Sequence, residues 1–123
     1  MIDAEAVRAI AMSLSQAEDR SRPDSLSFSV GGKQFAWSWQ ERVAEKGPRR
    51  PRLDVLAVRC PAPMKDILLE AEPELFFTED HYRGFPAVLV RLEAIDADRP
   101  RALLVQAWRC QAPRELAKRL EAR

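Results

Sequence analysis

Two adjacent glycines, Gly31 and Gly32, separate two stretches in which every second residue is large and apolar. The apolar residues alternate with serines before the glycines and with Ala36 and Ser38 after them. A period of two is typical of a β-strand with one buried face. Glycine accepts the positive φ angles of a tight hairpin turn. The sequence therefore predicts a β-hairpin with these residues on its buried face: Leu26, Phe28, Val30, Phe35, Trp37 and Trp39.

Periodicity and capping residues predict the remaining elements. A first helix is capped by Asp3 and ends near Asp19. Residues 41–52, with Gly47-Pro48 and Pro51, indicate a loop. Strands are expected over 53–60, 75–78 and 87–92, and helices after Pro61, Asp98 and Pro113. One face of the helix after Pro61 should consist of Met64, Ile67, Leu68 and Ala71.

This order of elements favours an α+β fold with a largely antiparallel sheet, packed by N-terminal and C-terminal helices. A chain of 123 residues is expected to form one domain, residues 1–123. The positions on the apolar faces of their elements predict the core: Phe28, Val30, Phe35, Trp37, Val55, Val88, Val90, Leu104 and Trp108.

Composition places the chain among globular proteins, with 46% hydrophobic and 32% charged residues. No apolar stretch approaches the ~20 residues of a membrane-spanning helix, and the first residues lack the pattern of a signal peptide. We therefore expect a cytoplasmic protein that makes no membrane contact. Cys60 and Cys110, with a single histidine, are too few ligands for a typical zinc site, so neither a metal nor a cofactor is expected.

The net charge of +1 hides alternating charged segments. Residues 33–52 carry six basic side chains against two acidic ones, whereas residues 53–80 are predominantly acidic. Arginine side chains suit phosphate geometry. The candidate nucleic-acid contacts are Lys33, Arg42, Lys46, Arg49, Arg50, Arg52 and Arg83. The acidic segment weakens this prediction, because it would cancel the field of the basic one if the two fold side by side.

A second group of candidates lies between residues 76 and 92. Phe76-Phe77 is followed after three residues by His81-Tyr82, then by Gly84-Phe85-Pro86 and an apolar strand. This pattern resembles the MmcQ/YjbR family of small bacterial proteins, and so do the preceding hairpin and the ending Ala-Trp-x-x-x-Ala-Pro of residues 107–113. The resemblance implies a compact α+β fold with hairpins as wings, and a DNA-binding function inferred from that fold. The family offers no catalytic residues to transfer.

Two constellations allow alternative interpretations. Phe35, Trp37 and Trp39 could form a stacking platform for bases, although their spacing favours a core position. The segment of His81, Tyr82, Gly84, Phe85 and Pro86 could line a ligand groove. The interpretation preferred here is a structural loop in which Gly84 has a positive φ and His81 hydrogen-bonds within the loop or to a nearby carboxylate.

The function predicted first is DNA binding through the basic hairpin and loop surface. The alternative is a small-molecule or protein interaction module that uses the groove near His81. No nucleophile with a paired base is recognisable, so no catalytic residue is predicted and the chain is not expected to be an enzyme. The sequence does not identify a protein partner.

Overall fold

The structure is a computed structural model that describes residues 2–42, 47–96 and 98–121, except for the side chains of residues 42 and 119–121. Its elements are α1 (Ala4–Met12), β1 (Glu18–Asp19), β2 (Ser27–Val30), β3 (Lys33–Arg42), β4 (Arg49–Arg59), α2 (Ala62–Ala71), β5 (Phe76–Phe77), β6 (Ala87–Arg91), α3 (Arg99–Gln111) and α4 (Arg114–Glu121). A short 3₁₀ turn, Asp80–Tyr82, precedes β6.

The strands form one antiparallel sheet in the spatial order β1-β2-β3-β4-β6-β5. β2 and β3 form the hairpin predicted around Gly31 and Gly32, whose φ angles are 57° and 78°. β3 and β4 form a second, longer hairpin. β6 pairs with β4, and β5 pairs with β6 at the edge. The predicted α+β fold with an antiparallel sheet is confirmed.

The main core lies between one face of the sheet and the helices, chiefly α1 and α3. Val7 and Ala11 of α1 are fully buried there, as are Leu104 and Trp108 of α3. The indole N–H of Trp108 donates a hydrogen bond of 3.0 Å to the Ser15 carbonyl, so this buried donor is satisfied. Eight of the nine predicted core residues are buried: Phe28, Val30, Phe35, Val55, Val88, Val90, Leu104 and Trp108.

Helix α1 is shorter than predicted. Asp3 caps it as expected, since its side chain accepts a hydrogen bond of 2.9 Å from the backbone N–H of Ala6. The helix ends at Met12 rather than near Asp19. Gln16 adopts a φ of 54°, a left-handed conformation that a right-handed helix cannot contain. The chain then enters the short strand β1, which the sequence did not predict and which pairs with β2.

Within the loop predicted over residues 41–52, residues 41–42 and 49–52 lie in strands instead, and residues 43–46 lie outside the described residues. β3 continues to Arg42, and β4 begins at Arg49. Pro51 lies within β4, paired with Gln40. A proline, which has no backbone N–H, is tolerated at this position because the first part of β4 has a single strand neighbour. β6 pairs only with Val55–Arg59. Glu41, Arg49, Arg50 and Arg52 therefore belong to the paired strands of a hairpin.

Helix α2 presents only part of its predicted face to the core. Ile67 is 61% exposed and Met64 is 40% exposed, whereas Leu68 and Leu69 pack against the main core. Lys65 is the residue that α2 buries most deeply. The apolar periodicity does not predict this arrangement, because α2 turns Lys65 toward the loop before β6, where its ammonium group makes the hydrogen bonds given in the next subsection.

Candidate functional site

The second face of the sheet carries a separate apolar cluster. Its floor is formed by side chains of β4 and β6, namely Val55, Ala57, Ala87 and Leu89. The buried apolar residues of the four described α-helices pack in the main core, and none of them joins this second cluster. Aromatic side chains cover the floor instead. We call this surface the aromatic face and define it by Trp37, Trp39, Phe77, Tyr82 and Phe85.

A β-bulge places Trp37 on this face. Phe28 pairs with Ala36, and the next residue of β2, Ser29, pairs with Gln34, so Phe35 is an extra residue in β3. The bulge reverses the alternation of side chains along the strand. Phe35 is therefore buried in the main core, while Trp37 is half-buried on the opposite face. The prediction that Trp37 shares the core face of Phe35 is wrong.

Trp39 follows a second irregularity in the pairing of β3 with β4, located between Ser38 and Trp39. Ser38 is buried, and its hydroxyl accepts a hydrogen bond of 2.8 Å from the backbone N–H of Leu26. Trp39 packs against the second cluster. Both tryptophans of the hairpin thus lie on the aromatic face, and neither shares the core position of Phe35.

The rings of the aromatic face contact one another across the sheet. Trp39 of β3 and Phe77 of β5 meet edge to face with centroids 5.3 Å apart, although β4 and β6 lie between their strands. Trp37 stacks on Tyr82 at 6.4 Å, and its indole N–H donates a hydrogen bond of 2.9 Å to the Tyr82 hydroxyl. Phe85 extends this group and is 40% exposed. The result is a partly solvent-accessible aromatic surface.

Two arginines lie on these rings. The guanidinium carbon of Arg91 is 4.1 Å from the centroid of Phe77, and that of Arg59 is 4.9 Å from the centroid of Phe85. Both distances are typical of cation–π contacts. Within the described residues, no carboxylate forms an ion pair with Arg59 or Arg91. The aromatic face therefore combines stacking surfaces with uncompensated positive charge.

The motif loop before β6 is held in place from α2. The Lys65 ammonium donates hydrogen bonds of 2.6 and 2.9 Å to the carbonyl oxygens of Tyr82 and Phe85. The backbone N–H of Cys60 donates to the Pro86 carbonyl at 3.1 Å. Gly84 has a φ of 78°, as predicted, and a Cβ atom added there would meet no neighbour. Backbone conformation, rather than lack of space, requires glycine at this position.

Burial alters two pKa values at this loop. Burial raises the pKa of the Tyr82 hydroxyl, and the nearby Glu79 raises it further, against opposing effects of the Trp37 N–H and Arg49. Burial also lowers the pKa of Lys65. The contacts of Lys65 with two carbonyl dipoles are those of the charged form.

His81 lies on the outer side of this loop. Its side chain is exposed and touches the edge of Tyr82, with ring centroids 6.0 Å apart. The hydrogen bond predicted for His81 is not found among the described residues. The adjacent Asp80 pairs with Arg83 instead, at 3.0 Å. The cavity between β4, α2 and α3, described in a later subsection, is lined by other residues. A ligand groove at His81 therefore stays a prediction.

The predicted basic contacts that the structure describes do not all lie at one end of the sheet. Lys33 and Arg42 stand at opposite ends of β3, about 30 Å apart along an extended strand. Lys46 and the side chain of Arg42 lie outside the described residues. Arg83 is exposed and is paired with Asp80. Lys33 is therefore too far from Arg42 to share one compact phosphate site with it, and nucleic-acid contact by these candidates stays a prediction.

Arg49, Arg50 and Arg52 lie in the first part of β4 rather than in a loop. Arg52 pairs with Glu41 at 2.7 Å and with Asp54 at 2.6 Å, and these hydrogen bonds raise the pKa of Arg52 while lowering that of Asp54. Arg49 donates to the Gln40 carbonyl at 2.8 Å. Arg50 is exposed. Arg52 is thus neutralised within the hairpin.

Sequence reasoning missed the roles of three residues that shape this region, Lys65, Arg59 and Arg91, and named Phe77 only as part of the motif before β6. A signal was present for the two arginines, because each is a lone charge at the end of an otherwise apolar strand segment. Charged side chains are rarely placed in central strands without a specific contact. Lys65 offered no such signal, since lysine is common on helix surfaces.

The described residues contain no group of three or more histidine, cysteine, aspartate or glutamate side chains that could hold a metal ion. Cys60 and Cys110 are free thiols, the first buried and the second exposed. Across the part of the chain that the structure describes, no helix is sufficiently long and apolar to cross a membrane.

Comparison with known proteins shows the family to which this chain belongs. The family model described as YjbR matches residues 12–110. The chain belongs to the YjbR family. Uncharacterized proteins of Mycobacterium bovis and of two Mycobacterium tuberculosis strains are each 36% identical to it over 98 residues, covering 74% of this chain and 76% of the relative.

A solved structure agrees with this assignment. The crystal structure of Deinococcus radiodurans protein DR2400, which carries a DUF419 domain, superposes with a TM-score of 0.69. The superposition covers 98% of this chain and 89% of the other, at 17% sequence identity. This likeness shows the fold of the YjbR-family chain. The relatives are uncharacterized, so the residues of the aromatic face must support any functional proposal.

Proposed function

We propose that this YjbR-family protein binds nucleic acid, and that unpaired bases of a single strand contact its aromatic face. The observation that carries the proposal is the placement of Arg59 and Arg91 directly on the rings of Phe85 and Phe77, without carboxylate partners in the described residues. Nucleobases stack on aromatic rings, and guanidinium groups bind the phosphates between them.

A single strand fits this surface better than a duplex does. The rings of Trp37, Trp39 and Phe77 are half-buried in a sheet, so bases must be free of their own stacking partners to reach them. The described elements include no helix on this side of the sheet that could enter a major groove. In this proposal nucleic acid contacts the aromatic face of the sheet, rather than the basic hairpin and loop surface predicted from the sequence.

The acidic segment is compatible with this proposal. Asp54 is paired with Arg52, Glu72 with Arg99 and Asp80 with Arg83. Glu79 approaches Tyr82 and is the acidic side chain whose charge acts most directly on the aromatic face. Three of the seven acidic side chains of residues 53–80 are thus paired with arginines.

The test is a fluorescence-anisotropy titration with a labelled oligo(dT) of about 20 nucleotides at low salt. We expect a Kd of about 10⁻⁴–10⁻⁶ M that weakens as salt increases. Phe85→Ala should weaken binding about fivefold or more, since stacking of a base contributes ~1–3 kcal/mol. Arg91→Gln should weaken it and also reduce the salt dependence by about one phosphate contact.

The matched control is Arg114→Gln, which removes the same charge from the exposed first turn of α4, on the helical side of the molecule. It should leave oligo(dT) binding unchanged. Absence of binding at about 100 μM protein would refute the proposal. So would a loss in Arg114→Gln equal to that in Arg91→Gln, because net charge alone would then explain the affinity.

A further inference from the structure

A cavity of about 300 Å³ lies between the end of β4 and helices α2 and α3. Its walls are mainly apolar and include Val58, Met64, Leu68 and Leu103. This volume is at the lower end of the range of small-molecule sites, ~300–1,000 Å³. Met64 and Ala102 belong to the exposed parts of their helices, so the cavity is reached from solvent. The site can therefore hold a small ligand with an apolar body.

Three polar side chains also line the cavity: Arg59, Arg99 and Gln106. The charge of Arg99 is neutralised by Glu72, because the Arg99 guanidinium donates hydrogen bonds of 2.6 and 2.8 Å to the two carboxylate oxygens of Glu72. Arg59 has no such partner among the described residues, and its Nε atom is buried without a hydrogen bond. Burial is the main cause that raises the pKa of the Cys60 thiol, to about 11, so this neighbour supplies no negative charge at neutral pH.

We propose that this cavity binds a small organic monocarboxylate with an aliphatic tail. Arg59 borders the cavity while its guanidinium lies on the Phe85 ring, so the carboxylate would pair with this guanidinium at the cavity edge. Gln106 can donate a further hydrogen bond from its amide. The tail would lie against Met64, Leu68 and Leu103. A single guanidinium without a carboxylate partner among the described residues, at the border of a mainly apolar cavity, favours a ligand with one negative charge. This site is separate from the nucleic-acid surface proposed above, and only Arg59 borders both.

Hexanoate is a suitable probe, because its chain is short enough for the cavity and its alcohol, hexan-1-ol, is a neutral control. We expect ¹H–¹⁵N NMR titration of the wild-type protein to show shifts centred on residues 102–106, with a Kd of about 1 mM. Hexan-1-ol should bind at least tenfold more weakly. Equal affinity for the two compounds, or no shift up to about 20 mM hexanoate, would overturn the proposal.

Two variants locate the site. Ala102→Phe adds a ring at an exposed position of α3 that lines the cavity, and it should abolish hexanoate binding while oligo(dT) binding persists. Arg59→Gln should weaken hexanoate binding at least tenfold. Arg91→Gln should weaken oligo(dT) binding and leave hexanoate binding unchanged, so failure of one proposal is distinguishable from failure of the other. Unchanged hexanoate affinity in Ala102→Phe would place the ligand elsewhere and refute this site.

Discussion

The Lys65 ammonium nitrogen lies 2.6 Å from the carbonyl oxygen of Tyr82, to which it donates a hydrogen bond, although Lys65 is only 6% exposed. A second hydrogen bond, of 2.9 Å, reaches the Phe85 carbonyl. One buried cation thus connects α2 to the loop that carries two rings of the aromatic face. The stability of the fold and the shape of the candidate site depend on the same side chain.

The first prediction concerns this contact. Lys65→Met keeps most of the aliphatic volume but leaves two carbonyls without their donor, so we expect a loss of about 2–3 kcal/mol in the free energy of unfolding. Urea denaturation followed by tryptophan fluorescence measures this loss. Lys33→Met, at an exposed position, is the matched control and should change stability by less than about 0.5 kcal/mol. Equal effects of the two substitutions would contradict a structural role for Lys65.

The second prediction concerns the ionisation of Tyr82, the single tyrosine of the chain. Burial raises its pKa in the folded protein, so the phenol should ionise at higher pH in the native state than in urea. The contribution of Tyr82 to stability is therefore complete below the unfolded pKa, near 10, and is lost as the pH rises through the higher folded value. Tyrosinate absorbance in native and unfolded protein measures both values. Coincident titrations would show that the ring is solvated.

The third prediction tests the bulge in β3. Phe35→Ala should cost about 3–5 kcal/mol, because Phe35 is fully buried in the main core. Trp37→Ala should cost less, about 1–3 kcal/mol, because Trp37 is half-buried and loses mainly its contacts with Tyr82 and Phe85. Thermal or urea unfolding of the two variants decides the order. A larger loss for Trp37→Ala would place this side chain in the main core, as the alternation alone suggested.

The fourth prediction compares three glycines with positive φ. Gly84→Ala and Gly32→Ala should each cost about 1 kcal/mol, because both have φ of 78° and an added Cβ would meet nothing. Gly31→Ala should cost more, since its Cβ would also lie 3.1 Å from the ring of Pro113. The free energies of unfolding from urea denaturation establish the order. If all three losses are equal, the contact between the β2–β3 turn and Pro113 does not constrain the fold.

Local chemistry made several elements predictable. Gly31 and Gly32 impose a turn wherever the flanking strands pair, and the helix N-cap of Asp3 depends on atoms only three residues away. The apolar strand of residues 87–91 and the face of α3 with Leu104 and Trp108 follow from periodicity alone. These features involve near neighbours in the chain, so periodicity and local chemistry are enough to predict them, and with them the α+β class.

The position of the aromatic face depends instead on contacts between residues that are far apart in the chain. Which side of the sheet Trp37 faces depends on one extra residue, Phe35, in the register between β2 and β3. The meeting of Trp39 with Phe77 depends on the order β3-β4-β6-β5, and the burial of Lys65 depends on a loop that is 17 residues away from it. Side-chain alternation in the sequence predicts the period of a strand but not its pairing register. A shift of one residue in that register moves every later side chain to the opposite face of the sheet.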